Sequence, residues 1–190
     1  MKKLYVSDCH FGHQNIILYE HRPFESVEEM DKAMIEKWNK KVEKGDVVYI
    51  LGDFAFGDKE YIASILRKLN GNKILILGNH DLTIKRNRNF FKQYFAQIVD
   101  YCEIYDGNTF VTMSHYPMLT WNKAHHGSVN LAGHCHSMLH QDNPENVTLF
   151  KDNQYNVGAD VIDFEPCTLQ EIIQKKQTWK EKIVKKIKGV

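Results

Sequence analysis

Short apolar runs alternate with amphipathic stripes along the chain, a pattern that predicts an α/β fold. Leu4 to Val6, Val47 to Leu51, Lys73 to Leu77 and Val129 to Ala132 read as strands. Each is too short for a helix and stops at Ser7, Gly52, Gly78 or Gly133, residues that break an apolar run. Ser26-Val27-Glu28-Glu29 has the form of a capping box, after which Val27, Met30, Met34 and Trp38 fall on one helical stripe. Ile62, Ile65, Leu66 and Leu69 make a second amphipathic helix, closed by Asn70-Gly71. Phe90, Phe91, Tyr94 and Phe95 predict a further helix. Ile98 to Tyr105 and Thr109 to Ser114 flank Asp106-Gly107 and predict the two strands of a hairpin. Residues 140–153 read as a polar loop, Tyr155 to Val157 as a strand, and Leu169 to Ile173 as the start of the last helix.

Composition narrows the class. With 190 residues, 43% hydrophobic and 26% charged, the chain has the make-up of one globular domain over 1–190, and collagen-like, disordered and coiled-coil readings drop out. No apolar run approaches the roughly 20 residues that span a bilayer. The opening Met1-Lys2-Lys3-Leu4-Tyr5-Val6-Ser7-Asp8 breaks off where a secretory signal would stay apolar, so the expected compartment is the cytoplasm. The net charge of +1 hides a split: seven Lys and one Glu between Lys175 and Val190 give a local +6, leaving about −5 on the rest. The basic stretch at 175–190 reads as a solvated helix end or tail. A mildly acidic body does not indicate nucleic-acid binding. Cys9, Cys102, Cys135 and Cys167 form no CxxC pair, which argues for reduced, buried thiols over a zinc ribbon.

Ten histidines stand out, and their placement carries the chemistry. Clusters of Asp, Asn and His follow the apolar runs: Asp8 and His10, Asp53, Asn79 and His80, His115, then His134 and His136. In open α/β sheets the ligand crevice lies outside the carboxyl ends of the strands, so these clusters are expected to converge. Strand alternation would make Asp8 and His10 project the same way, likewise His134 and His136, with Cys135 turned aside. Carboxylate, amide and imidazole without thiolate suit Mn, Fe, Ni or Zn. So many donors exceed one tetrahedral shell and point to two ions, with Asp53 as the natural bridging carboxylate. Asn79 is then a plausible ligand. His80 would stand beside the metals, free to protonate a leaving oxygen or stabilise charge.

These same residues carry a resemblance. Asp8-Cys9-His10, Gly52-Asp53, Gly78-Asn79-His80-Asp81, Ser114-His115 and Gly133-His134-Cys135-His136 are similar, in content and order, to the five blocks of the calcineurin-like metallophosphoesterase superfamily. The stretch from Phe11-Gly12-His13-Gln14 through Arg22-Pro23-Phe24 further resembles a compact bacterial and phage branch of predicted phosphoesterases. The resemblance implies a four-layer α/β/β/α sandwich of two mixed sheets with flanking helices. It implies that Asp8, His10 and His136 hold one metal, that Asn79, His115 and His134 hold the other, and that Asp53 bridges. His80 matches the family's catalytic histidine. Two divalent ions are expected as cofactors, manganese first, with Fe, Ni or Zn as alternatives.

The expected activity is hydrolysis of a small phosphate ester, a phosphodiester or nucleotide, by metal-activated water with His80 assisting the leaving group. The protein serine/threonine phosphatases carry an arginine just after the second-block aspartate, whereas here Asp53 is followed by Phe54-Ala55-Phe56-Gly57. The added capping domain of the DNA-repair nuclease members is also missing. Alternatives are a phosphomonoesterase or nucleotide phosphatase, a non-catalytic scaffold like the retromer relative, and an HD-type hydrolase centred on His80-Asp81. An intact Asn79-His80 favours an enzyme over a scaffold. The strand before Gly78 argues against the HD reading, whose ligands sit on helices. His13 and Arg22 are the candidate substrate-gripping residues, with a loop-supporting salt bridge as the competing role of Arg22. Phe54, Phe56 and Trp121 are expected to pack, base stacking being open to any that reaches the mouth. His21, His125, His126 and His140 are expected to be structural or exposed.

Overall fold

Four strands pair side by side in the computed structural model, which describes residues 1–136 and 150–176. They are β1 (Lys3–Val6), β2 (Val47–Ile50), β3 (Asn72–Ile76) and β4 (Phe95–Val99), in that order and parallel throughout. Parallel neighbours need crossovers. Helices α1 (Gln14–Tyr19) and α2 (Val27–Lys41) supply the first, α3 (Lys59–Lys68) the second, and α4 (Leu82–Arg86) with α5 (Arg88–Phe91) the third. A second sheet runs β5 (Cys102–Asp106), β6 (Thr109–Met113), β7 (Val129–Ala132), β8 (Gln154–Asn156), with β5 antiparallel to β6 and the other pairs parallel. The protein thus has two sheets with flanking helices, the first parallel rather than mixed.

Local chemistry starts the helices where the pattern placed them. Ser26 caps α2 by accepting from the Glu29 N–H, and Met30, Met34 and Trp38 face the core. The reciprocal half of the box differs, because the Glu29 carboxylate takes the Glu25 N–H. Asp58 caps α3 through the Tyr61 N–H, and Ile62, Ile65 and Leu66 are buried. Each such cap contributes about 1 kcal/mol. Among the described residues no helix is long and apolar enough to cross a membrane.

Two expectations fail between residues 90 and 105. The aromatic stripe from Phe90 ends as a helix after one turn, and Phe95 opens β4 by pairing with Lys73. Long-range strand pairing overrides the helical spacing there. Ile98 to Tyr105 is two strands, since the chain leaves one sheet after Val99, turns through exposed Asp100 and Tyr101, and enters the other at Cys102. The Asp106-Gly107 hairpin forms as expected, with Gly107 at φ +56°. His140 and most of the basic stretch, residues 177–190, lie outside the described residues, as does most of the 140–153 loop.

The two sheets meet just beyond β1. Ser7 donates its N–H to the Val157 carbonyl and accepts from the Ala159 N–H, while the Asp8 N–H reaches the Gly52 carbonyl. One apolar core, including Leu4, Val6, Ile50, Leu75, Val111 and Leu131, fills the space between the elements. This seam brings the carboxyl ends of β1, β2 and β3 against those of β6 and β7.

Candidate metal centre

Every cluster singled out above follows a strand: Asp8 and His10 after β1, Asp53 after β2, Asn79 and His80 after β3, His115 after β6, His134 and His136 after β7. They converge by a different route from the one expected. Asp8, His10, Asp53, His134 and His136 lie beyond their strands in the left-handed region, with φ of +54°, +53°, +52°, +69° and +46°. Non-glycine residues rarely adopt that conformation, and where they do, surrounding structure must hold them. Strand alternation therefore does not aim these side chains. Tight backbone turns do, and they require small neighbours. A Cβ on Gly133 would fall 1.8 Å from Ser7 Oγ and 2.5 Å from Asp8 Oδ2, and one on Gly78 would fall 2.3 Å from Asp53 Oδ1.

The donors collect in two groups. Asp8, His10 and His136 each offer an atom within 4.8 Å of the others, as do Asp53, His115 and His134. Asp53 Oδ2 lies 3.8 Å from His10 Nε2 in the first group and 3.5 Å from His115 Nε2 in the second. Asn79 joins the second group through Oδ1, 2.9 Å from His115 Nε2. His80 stands at the edge, its side chain 47% exposed and Nε2 4.0 Å from Asp53 Oδ2, while its N–H donates to Asp53 Oδ1.

The hydrogen-bond chemistry fits a cation. His115 Nδ1 lies 2.8 Å from the Leu51 carbonyl, which can only accept, so the hydrogen sits on Nδ1 and a neutral ring offers a lone pair at Nε2. That lone pair, Asn79 Oδ1 and Asp53 Oδ2 are three acceptors turned on one another. His136 Nδ1 lies 2.9 Å from Asp160 Oδ2, which likewise leaves Nε2 for the group. His10 Nδ1 lies 3.2 Å from His13 Nδ1, and His10 Nε2 is the buried side-chain polar atom left without a hydrogen bond among the described residues. An orphaned buried acceptor is rare enough to require a missing partner. Burial pushes the His10 pKa down, keeping its ring neutral, and raises Asp8 to about 6.

A calcineurin-like phosphoesterase model matches residues 1–181. The chain belongs to that family. It is similar to MJ1445, an uncharacterized protein of Methanocaldococcus jannaschii, at 35% identity over 182 residues covering 92% of this chain and 91% of that one. The gene 66 protein of Mycobacterium phage D29 is 29% identical over 180 residues, 82% of this chain and 86% of its own. Among solved structures, AQ665 of Aquifex aeolicus, a protein of unknown function, superposes with a TM-score of 0.69 at 27% identity, covering 90% of this chain and 97% of the other. The protein is a metal-dependent phosphoesterase, and its His and Asp groups are the candidate places for divalent ions.

Not every residue singled out reaches the mouth of this phosphoesterase. Arg22 does not: its side chain is buried, and all five guanidinium N–H groups are taken by Asp160, the Asp8 and Cys9 carbonyls, and Met30 Sδ. It supports the loop from behind instead of gripping substrate. His13 is at the rim, half-buried, stacked on Phe56 with centroids 3.9 Å apart. Phe56 also contacts the rings of His10 and His80, whereas Phe54 and Trp121 are buried. His21, His125 and His126 are exposed.

Three residues around the phosphoesterase centre had been given no part in it. Asp81 is buried and accepts the N–H groups of Asp53, Phe54 and Gly78; its place directly after His80 was the available signal. Tyr116 forms the opposite rim, its ring 4.5 Å from that of His134 and its hydroxyl 3.3 Å from Asn79 Oδ1. Asp160, in a stretch with no motif, had no signal.

Proposed function

We propose that this protein is a two-ion phosphodiesterase acting on a small, ring-bearing phosphodiester. The observation that carries the reading is the position of Asp53, whose Oδ2 is within reach of both groups, 3.8 Å from His10 Nε2 and 3.5 Å from His115 Nε2. Asp8, His10 and His136 would hold one ion, Asn79, His115 and His134 the other, and Asp53 both. Ions bound there supply Lewis acidity to the phosphoryl oxygens and lower the pKa of water. Manganese is the proposed ion, because the donors are carboxylate, amide and imidazole with no thiolate.

The surrounding residues do the rest. His80, exposed at the edge of the group and tethered to Asp53 through its N–H, donates a proton to the departing alkoxide. Asp81 fixes the backbone of Asp53 from below. His13 and Phe56 on one side and Tyr116 on the other form aromatic walls against which the ester group of a substrate stacks.

The diester preference rests on charge. Arg22 is the cation bonded into this cluster among the described residues, and its N–H groups are all used. A diester carries one negative charge; a monoester dianion brings a second that Arg22 is not free to meet. With manganese-loaded protein, kcat/KM for bis(p-nitrophenyl) phosphate should exceed that for p-nitrophenyl phosphate. The opposite order would overturn the preference in favour of a phosphomonoesterase.

A further inference from the structure

We infer that Arg22 and Asp160 form a positioning pair that sets the metal affinity of one half of the centre, the group of Asp8, His10 and His136. The inference rests on the two-ion reading above and adds a division of labour to it.

The two side chains make a fork-to-fork ion pair, Nε to Oδ1 at 2.8 Å and Nη2 to Oδ2 at 2.9 Å, with side-chain exposures of 0% and 3%. Such a bidentate pair fixes orientation as well as charge. From it, bonds run to Asp8, to His136 and to the peptide that precedes His10. Arg22 Nη2 donates to the Asp8 carbonyl and Nη1 to the Cys9 carbonyl, both at 2.8 Å. The Cys9 carbonyl belongs to the peptide unit that carries the His10 nitrogen. Asp8 and His10 are the left-handed residues of this turn, at φ +54° and +53°, so the guanidinium pins the two peptides on which their strained geometry depends.

Asp160 completes the set. Its Oδ2 accepts from His136 Nδ1 at 2.9 Å, which puts the hydrogen on that nitrogen and leaves Nε2 as the lone-pair atom of the neutral ring. Arg22 in turn fixes the Asp160 carboxylate through both of its oxygens, Nε on Oδ1 and Nη2 on Oδ2. Asp53 and His115 of the second group are held by other bonds, Asp81 to the Asp53 N–H and the Leu51 carbonyl to His115, while His134 meets the first group through its backbone N–H on the Asp8 carboxylate. Loss of the Arg22–Asp160 pair therefore weakens one ion and spares its neighbour.

Titration of metal-free protein with Mn, read by calorimetry and electron paramagnetic resonance, tests this. Wild type should bind two ions with a spin-coupled spectrum. Asp160→Asn, and the double variant Arg22→Gln with Asp160→Asn, which strands no buried charge, should keep one ion at wild-type affinity. The other should bind about 10–100-fold more weakly, leaving a single-ion spectrum. Two ions at wild-type affinity in both variants overturn the inference alone. One ion in wild type overturns the two-ion reading and the inference with it. Where neither variant folds, nitrogen NMR of wild-type protein loaded with diamagnetic zinc decides: His136 should carry its hydrogen on Nδ1, and a hydrogen on Nε2 overturns the pair.

Discussion

Nε2 of His10 and Oδ2 of Asp53 face each other across 3.8 Å of buried space, beyond hydrogen-bond reach. Neither atom gains from the other while the imidazole is neutral, and burial keeps it so. A cation between them turns two isolated acceptors into ligands. Ligand binding to the folded state alone stabilises by about 2.7 kcal/mol at a hundredfold excess over Kd. Manganese should therefore raise the melting temperature of wild type, and His10→Ala should lose at least half of that rise. An equal rise in the variant would remove His10 from the ligand set.

His80 is expected to act on turnover without holding metal. Its exposed ring touches Phe56 and reaches no closer than 4.0 Å to Asp53. His80→Ala should retain both ions and lose about 10²–10⁴-fold in kcat on bis(p-nitrophenyl) phosphate, the usual contribution of a general acid. Unchanged turnover would exclude it from proton transfer.

Asp81 bears on stability. One carboxylate satisfies three backbone N–H groups, those of Asp53, Phe54 and Gly78, and each donor left buried and unmet costs about 1–3 kcal/mol. Asp81→Ala should cost more than roughly 3 kcal/mol in urea denaturation of the metal-free protein. A loss below about 0.5 kcal/mol, the scale of an ordinary surface change, would contradict the clamp.

What the sequence could reveal depended on how local each determinant was. Asp8, Asp53, Asn79, His115 and His134 were legible because each follows an apolar run within a few positions. The left-handed turns that aim them were not, since nothing in Asp8-Cys9-His10 marks a positive φ. The break at Asp100 was hidden by apolar residues on both sides that belong to different sheets. Asp160 was beyond reach because its partners lie 138 and 24 positions away, and its role exists only once the sheets have met.

Away from the site, Glu171 supplies a pH test. It accepts from the Thr168 N–H and pairs with Lys41. Burial would raise its pKa, but these bonds outweigh burial and hold it below the ordinary 4.5. A carboxylate depressed in the folded state contributes stability above its unfolded pKa and loses it as pH falls through the folded value. Glu171→Gln should therefore cost up to about 1 kcal/mol at pH 7, a figure limited by solvent screening of a part-exposed pair, and nothing near pH 2. A difference that grew on acidification would contradict the assignment.

The central claim is that Asp53 joins two ions in one centre, and counting metals tests it most directly. Elemental analysis of manganese-loaded wild type should find two ions per chain, and Asp53→Ala should fail to hold the pair. Two ions per chain in Asp53→Ala would contradict the account.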